Sequence, residues 1–158
     1  MIKLIVVGKI KEKGLKLLVE EYLKRLQGYT KLEIIELKDL KIPLNSNITI
    51  EKKIIEDEGN TILSKIGNDD TVILLDLHGE EFDSVQMAKI FEDYRIKSRK
   101  NLDIVIGGSL GVSDNLRKRA NMCWKLSSLT FTHQFTRVLV LEQIYRFFKI
   151  NNNETYHK

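Results

Sequence analysis

Residues Leu102 to Gln134 read LDIVIGGSLGVSDNLRKRANMCWKLSSLTFTHQ, and this stretch decides the fold. It opens on an apolar run, Ile104-Val105-Ile106, that ends in Gly107-Gly108 with a third glycine at Gly111. The pattern predicts a buried strand delivering the chain into a glycine loop, where backbone comes close to a ligand because no Cβ intervenes. A second strand-like run, Cys123-Trp124-Lys125-Leu126, breaks into Ser127-Ser128-Leu129-Thr130-Phe131 and reaches His133 at the mouth of a long apolar helix. Two strand ends with small and polar residues, close in sequence, predict one ligand pocket. GGxxG alone is a weak signal, lacking the Lys-Ser/Thr of a phosphate loop and the full GxGxxG of a dinucleotide fold. Position gives it weight, since open α/β sheets bind ligands at the carboxyl ends of their strands.

The alternation continues outward. Residues 2–7 are nearly all apolar, as in a strand covered on both faces. Residues 12–27 place Leu15, Leu18, Val19, Tyr22 and Leu26 on one helical stripe. Lys31 to Leu37 reads as a second strand, and Asn47 or Thr49 caps a second helix in which Gly59 is a weak point. Thr71 to Leu77 is a third strand leaving through a turn at His78-Gly79, and Asp83 with Gln86 forms a capping box for the next helix. After the strand at 102–106, a short helix starts beyond Ser113, a fifth strand lies near 122–127, and a long helix runs from about Gln134 to Ile150. This order predicts an α/β domain with a mainly parallel sheet, single over 1–158. The last helix is apolar almost all round, which predicts burial against a second copy and hence a homodimer. The polar tail, Asn151 to Lys158, is expected to fray.

No apolar run approaches the roughly 20 residues of a membrane span, and the N-terminus lacks a signal-peptide pattern. One cysteine, Cys123, excludes an internal disulfide, and with His78, His133 and His157 it makes no metal-ligand spacing. A cytoplasmic protein without a metal is the expectation. Residues 112–158 carry 8 Lys+Arg against 3 Asp+Glu, while 1–111 carry 18 against 19. That bias suits an anionic partner such as RNA, and equally a solvated surface. His133 and Arg137, four apart, share a face at the first turn of the last helix, where an anion is favoured; a capping histidine fits the same spacing. Glu142 and Arg146 read as a salt bridge. Read from residues alone, the chain is an α/β ligand-binding dimer with a basic end.

Val105-Ile106-Gly107-Gly108-Ser109-Leu110-Gly111, Leu126 through Gln134, Arg137-Val138-Leu139 with Leu141-Glu142-Gln143-Ile144-Tyr145-Arg146, and the terminal Tyr156-His157-Lys158 closely resemble the ribosomal RNA large subunit methyltransferase H family, within the SPOUT superfamily. The likeness covers nearly the whole chain. It implies a C-terminal trefoil knot, which periodicity would not propose because threaded chains are rare. It implies S-adenosylmethionine as cofactor, held by Leu75, Gly107 with Gly108, and the run Leu126, Ser127, Ser128, Leu129, Thr130 and Phe131. It implies methylation of N3 of a pseudouridine in large-subunit ribosomal RNA within the assembled ribosome. The homodimer is implied too, with the tail of one protomer reaching the other's site. On this reading Arg137, Tyr156 and His157 position the RNA, and His133 or His157 assists loss of the N3 proton. Thr132 stands where the family commonly has proline, which predicts a looser loop presenting His133. A SPOUT methyltransferase acting on transfer RNA and a non-catalytic RNA- or nucleotide-binding module are the contrasting readings.

Overall fold

The computed structural model describes residues 1–157. Five strands, β1 (Ile2–Val7), β2 (Leu32–Leu37), β3 (Thr71–Glu81), β4 (Leu102–Ile106) and β5 (Met122–Lys125), alternate with helices α1 (Lys13–Leu26), α2 (Ile48–Leu63), α3 (Ser84–Lys97), α4 (Asp114–Arg119) and α5 (His133–Asn151). The strands form one sheet in the order β2-β1-β4-β3-β5, and every pairing is parallel. Lys158, the terminal cation of the tail, lies outside the described residues.

Side chains alternate between two cores because strand residues point to opposite faces in turn. Ile2, Leu4 and Val6 of β1, with Ile104 and Ile106 of β4, face α1, α3 and α5. Ile5, Val7, Leu74 and Val105 face the smaller layer of α2 and α4. Both faces are covered, and β1 and β4 are buried along their whole length. The crossover from β3 to β4 runs on the α3 side, and the one from β4 back past β3 to β5 runs on the α4 side. Reversing direction across a sheet while keeping one hand of crossover requires this change of face.

The caps fall where the residues place them. Asn47 accepts a hydrogen bond from the Ile50 amide, Asp83 and Gln86 form a full capping box, and Ser113 accepts from the Leu116 amide. The third strand departs from expectation: it does not end at Leu77. Leu75 pairs with Trp124, residues 76–79 leave the ladder, and pairing resumes at Glu80 and Glu81. Gly79 permits this, because a Cβ there would lie 2.5 Å from the Cys123 carbonyl oxygen.

The last helix also has another explanation than a second copy. α5 lies between α1 and α3 on the sheet, and Val138, Val140, Leu141, Ile144, Phe147 and Phe148 are buried within one chain. A helix in the middle of a three-helix layer has lateral neighbours as well as the sheet beneath it. Its apolar circumference is therefore satisfied without a partner.

Nor does the tail fray. Asn153 takes a left-handed φ of 55°, its amide donates to the Ile150 carbonyl, and the Glu154 amide donates to that of Lys149. This is a Schellman closure with asparagine in the position glycine usually fills. It turns the chain back along α5.

At the amino ends of the strands, Lys3 Nζ lies 2.6 Å from Asp70 Oδ2 and 3.2 Å from Asp103 Oδ1, all three being buried. Asp103 is within ion-pair distance of Lys3, but neither of its oxygens has an aligned hydrogen-bond donor. Burial pushes its carboxyl up to about 6, despite the nearby ammonium.

Candidate cofactor and RNA site

A cavity of about 940 Å³ opens at the carboxyl ends of β3, β4 and β5. Its walls come from three loops: residues 75–78 where β3 leaves the ladder, the glycine loop 106–112, and the segment from Leu126 to Gln134. Leu75, Gly107, Gly108, Leu126, Ser127, Leu129, Thr130, Phe131 and His133 all line it. Ser128 does not, since its hydroxyl donates to Glu81 at 3.0 Å and accepts from Lys125 at 3.1 Å on the outer side of the loop. The loop after β5 is shaped from within, the Ser127 hydroxyl accepting from the Leu129 amide at 3.0 Å.

The glycine loop is held tightly. A Cβ on Gly107 would sit 2.6 Å from Val112 Cγ1, and one on Gly108 would sit 2.4 Å from Glu58 Oε2. A Cβ on Gly59 would meet Ser113 Oγ at 2.2 Å. The adjacent pair Glu58-Gly59 of α2 therefore supports both ends of the loop, and Gly59 is the point at which α4 docks. Burial raises the Glu58 carboxyl, although it accepts from the Leu40 amide.

His133 reaches the cavity from the first turn of α5. Thr132 caps that helix, its hydroxyl accepting from the Phe135 amide at 3.3 Å. Its φ is −61°, the value a proline ring would impose, so threonine presents His133 through the same backbone turn. Gln134 fixes the same turn to the β1–α1 loop by accepting from the Lys11 amide at 2.9 Å. Gly8, at φ +83°, lets β1 turn away beside the imidazole: a Cβ there would be strained and 3.4 Å from His133 Nε2.

Arg137 is not at the cavity. It is 2% exposed, and it donates to the Gly8 carbonyl and to Glu36, each at 3.0 Å. One turn beyond His133, it ties α5 to the ends of β1 and β2, so it positions the histidine's surroundings and has no free face for RNA. Tyr156 and His157 are also absent from this chain's own cavity. The Tyr156 hydroxyl donates to Glu142 Oε1 at 3.1 Å, and its ring meets that of Tyr145 edge-on at 5.0 Å. Burial, with hydrogen bonding to Tyr22 and Glu142, pushes that phenol up to about 12, so it stays an O–H donor at neutral pH.

Two charged lining residues escape a sequence reading. Burial opposes ionisation of Asp76, but the Arg117 guanidinium, 2.5 Å away, and the His78 amide outweigh it and hold the carboxyl below its usual range. The pair gives the cavity one fixed dipole. The Trp124 indole also lines the cavity, and its buried Nε1–H has no acceptor. Such a cavity suits a ligand with a flat apolar body and several polar edges, bound through loop backbone at glycines that admit no side chain. Among the described residues no group of three or more His, Cys, Asp or Glu could hold a metal ion, and no helix is long and apolar enough to cross a membrane.

Known proteins resemble this chain. The family described as "Predicted SPOUT methyltransferase" matches residues 1–157. Proteins named ribosomal RNA large subunit methyltransferase H are similar over 99% of both chains: that of Clostridium tetani is 50% identical, that of Clostridium acetobutylicum 48%. The one from Streptococcus thermophilus is 46% identical over the same span. The crystal structure of a tRNA (m1G37) methyltransferase from Aquifex aeolicus superposes with a TM-score of 0.51 at 14% identity, covering 92% of this chain and 69% of that one, a likeness of fold. With a full-length match to the family and relatives about half identical from end to end, this chain belongs to the SPOUT methyltransferase family.

Proposed function

We propose that the chain methylates N3 of a pseudouridine in large-subunit ribosomal RNA, on the assembled ribosome in the cytoplasm, using S-adenosylmethionine. The observation that carries this reading is the cavity at three strand ends, walled by the three loops that follow them, in a chain whose full-length relatives are named for large-subunit RNA methylation. The fit to the cofactor rests on the cavity's lining, where the backbone of Gly107 and Gly108 and the segment after β5 stand beside the Asp76–Arg117 pair. When bound, S-adenosylmethionine supplies a methyl group on a sulfonium sulfur.

The protein's part is then mainly to align and to manage one proton. Leu75, the glycine loop and the 126–131 segment orient the donor, and the apolar walls exclude water. The imide N3 carries a proton at neutral pH and becomes a nucleophile only when that proton leaves. The base that would take this proton is His133 or His157. The trefoil threading of the C-terminal half belongs to the same reading, supported by the strand order β4-β3-β5.

The enzyme acts as a homodimer. Two features support this: the apolar rim of Leu77, Leu129, Phe131 and Phe135, each more than a third exposed, and the docking of the tail beside Glu142. At 1.5 Å per residue that dock lies about 13 Å along α5 from His133, so Tyr156 and His157 serve a partner's cavity better than their own. Nucleoside mass spectrometry of ribosomal RNA from cells lacking the chain tests the function. One large-subunit pseudouridine should lose its base methyl and regain it with the intact chain. An unchanged large-subunit RNA, with a methyl missing from transfer RNA, would refute it.

A further inference from the structure

Four tyrosines, Tyr22, Tyr29, Tyr145 and Tyr156, pack on the outer edge of α1 and α5 among Arg25, Arg146 and Lys149. Aromatic rings interleaved with cations would ordinarily suggest a surface for stacked bases and phosphates. Here each cation already has a carboxylate: Arg25 pairs with Glu21, Arg146 with Glu142 and Lys149 with Glu154. Their charge is neutralised within the cluster, which leaves little to attract RNA. What the cluster does hold is the tail.

Arg146 is its centre. Its Nε and Nη2 donate to Glu142 Oε1 at 3.1 and 2.5 Å, and the same oxygen accepts from the Tyr156 hydroxyl at 3.1 Å. Its guanidinium lies 4.7 Å from the Tyr156 ring centroid. The remaining Nη1 is 3.3 Å from His157 Nδ1. Arginine has donors and no acceptor, so this contact is a hydrogen bond only if Nδ1 offers its lone pair. The ring proton then sits on Nε2.

We infer that Arg146 is a positioning residue that docks the tail through Tyr156 and fixes His157 as a hydrogen-bond donor through Nε2–H. This inference rests on the proposed role of the tail in methyl transfer. His157 therefore takes no proton from the RNA: one ring nitrogen is engaged by arginine and the other already carries hydrogen. Its partner is an oxygen acceptor on the target base, a carbonyl that gains negative charge as the imide proton leaves. The proton itself goes to His133, the histidine that lines the cavity.

The test compares His157→Gln with His157→Ala, because glutamine presents an N–H donor at similar reach and cannot act as a base. With S-adenosylmethionine and ribosomes saturating, His157→Ala should lower kcat by about 10²-fold, the scale of one lost donor to developing charge. His157→Gln should stay within about tenfold of wild type. Arg146→Ala should lose at least as much as His157→Ala, and adding His157→Ala to it should change the rate by no more than about twofold. A purely structural role for Arg146 would make the two losses additive, and a base role would leave His157→Gln as slow as His157→Ala. Either result overturns the inference. A readout independent of activity is the ¹⁵N heteronuclear NOE of residues 154–157, which should report a rigid tail in the wild type and a mobile one in Arg146→Ala. An equally rigid tail in the variant refutes the docking role. A rigid wild-type tail in a protein that transfers no methyl would instead refute the proposed function.

Discussion

Replacing Gly59 by alanine sets two effects of opposite sign against each other. In a helix interior, alanine is favoured over glycine by about 1 kcal/mol. A methyl at Gly59, however, would lie 2.2 Å from Ser113 Oγ and 2.8 Å from Ser113 Cβ, and Ser113 is buried with its hydroxyl capping α4. Relief requires the Ser113 hydroxyl to swing off the Leu116 amide and α4 to shift away from α2. That forfeits a cap worth about 1 kcal/mol and adds overpacking of about 1–3 kcal/mol. The clash therefore wins, and the net loss is about 1–3 kcal/mol, or about 2–4 °C in Tm for each kcal/mol in a chain of this size. Urea denaturation measures it. Because Ser113 follows the glycine loop, the same variant should also bind S-adenosylmethionine more weakly by calorimetry. The double variant Gly59→Ala/Ser113→Gly removes both offending atoms, and glycine as a cap costs only a few tenths of a kcal/mol. It should recover most of the lost stability. A single variant more stable than wild type, or a double variant no better than the single, would refute the packing argument.

Other expectations follow from separate features. Gly14→Ala, whose new methyl meets nothing within 4 Å, should raise stability by up to about 1 kcal/mol, which the same denaturation reads. Asp103, raised by burial to about 6, keeps a proton that the unfolded chain has already released above 3.8, so the wild type loses stability as pH rises between those values. The loss is on the order of 2–3 kcal/mol, and Asp103→Asn should abolish that fall when urea midpoints are compared on either side of the window. Asp70 has the opposite sign: burial is outweighed by Lys3, the Gly67 amide and Asn101, which hold it at about 2, so its stabilisation is lost as pH falls from 3.8 towards that value. Trp124 is the only tryptophan and lines the cavity, so its emission should change in proportion to bound S-adenosylmethionine; unchanged emission despite calorimetric binding would move the cofactor elsewhere.

Local chemistry made most elements legible. Asn47, Asp83 and Ser113 announce helix starts, and unbroken apolar runs at 2–7 and 102–106 announce strands buried on both faces. The loops that wall the cavity were legible because Gly107-Gly108 and Ser127-Ser128 follow strand ends, the place where open α/β sheets bind ligands. What escaped depends on contacts distant in sequence. Gly59 looks like a helix defect until Ser113 is seen against it, and Glu58 looks like one more helix carboxylate until it is found behind Gly108. Arg137 at helical spacing from His133 suggested an anion site, and only the folded ends of β1 and β2 reveal that it is bonded internally. The order of the tail did leave a trace, the asparagine run 151–153 that supplies a left-handed C-cap. A pattern of single-residue polarity overlooks it, since the closure is made by backbone.

The most direct test of the account is methyl transfer from labelled S-adenosylmethionine to assembled ribosomes, free large subunits and transfer RNA, all from cells lacking this chain, with the labelled base mapped. Label on N3 of one large-subunit pseudouridine, strongest with assembled ribosomes, is the expected result. Label confined to transfer RNA, or none on any RNA while the cofactor binds, would contradict the account.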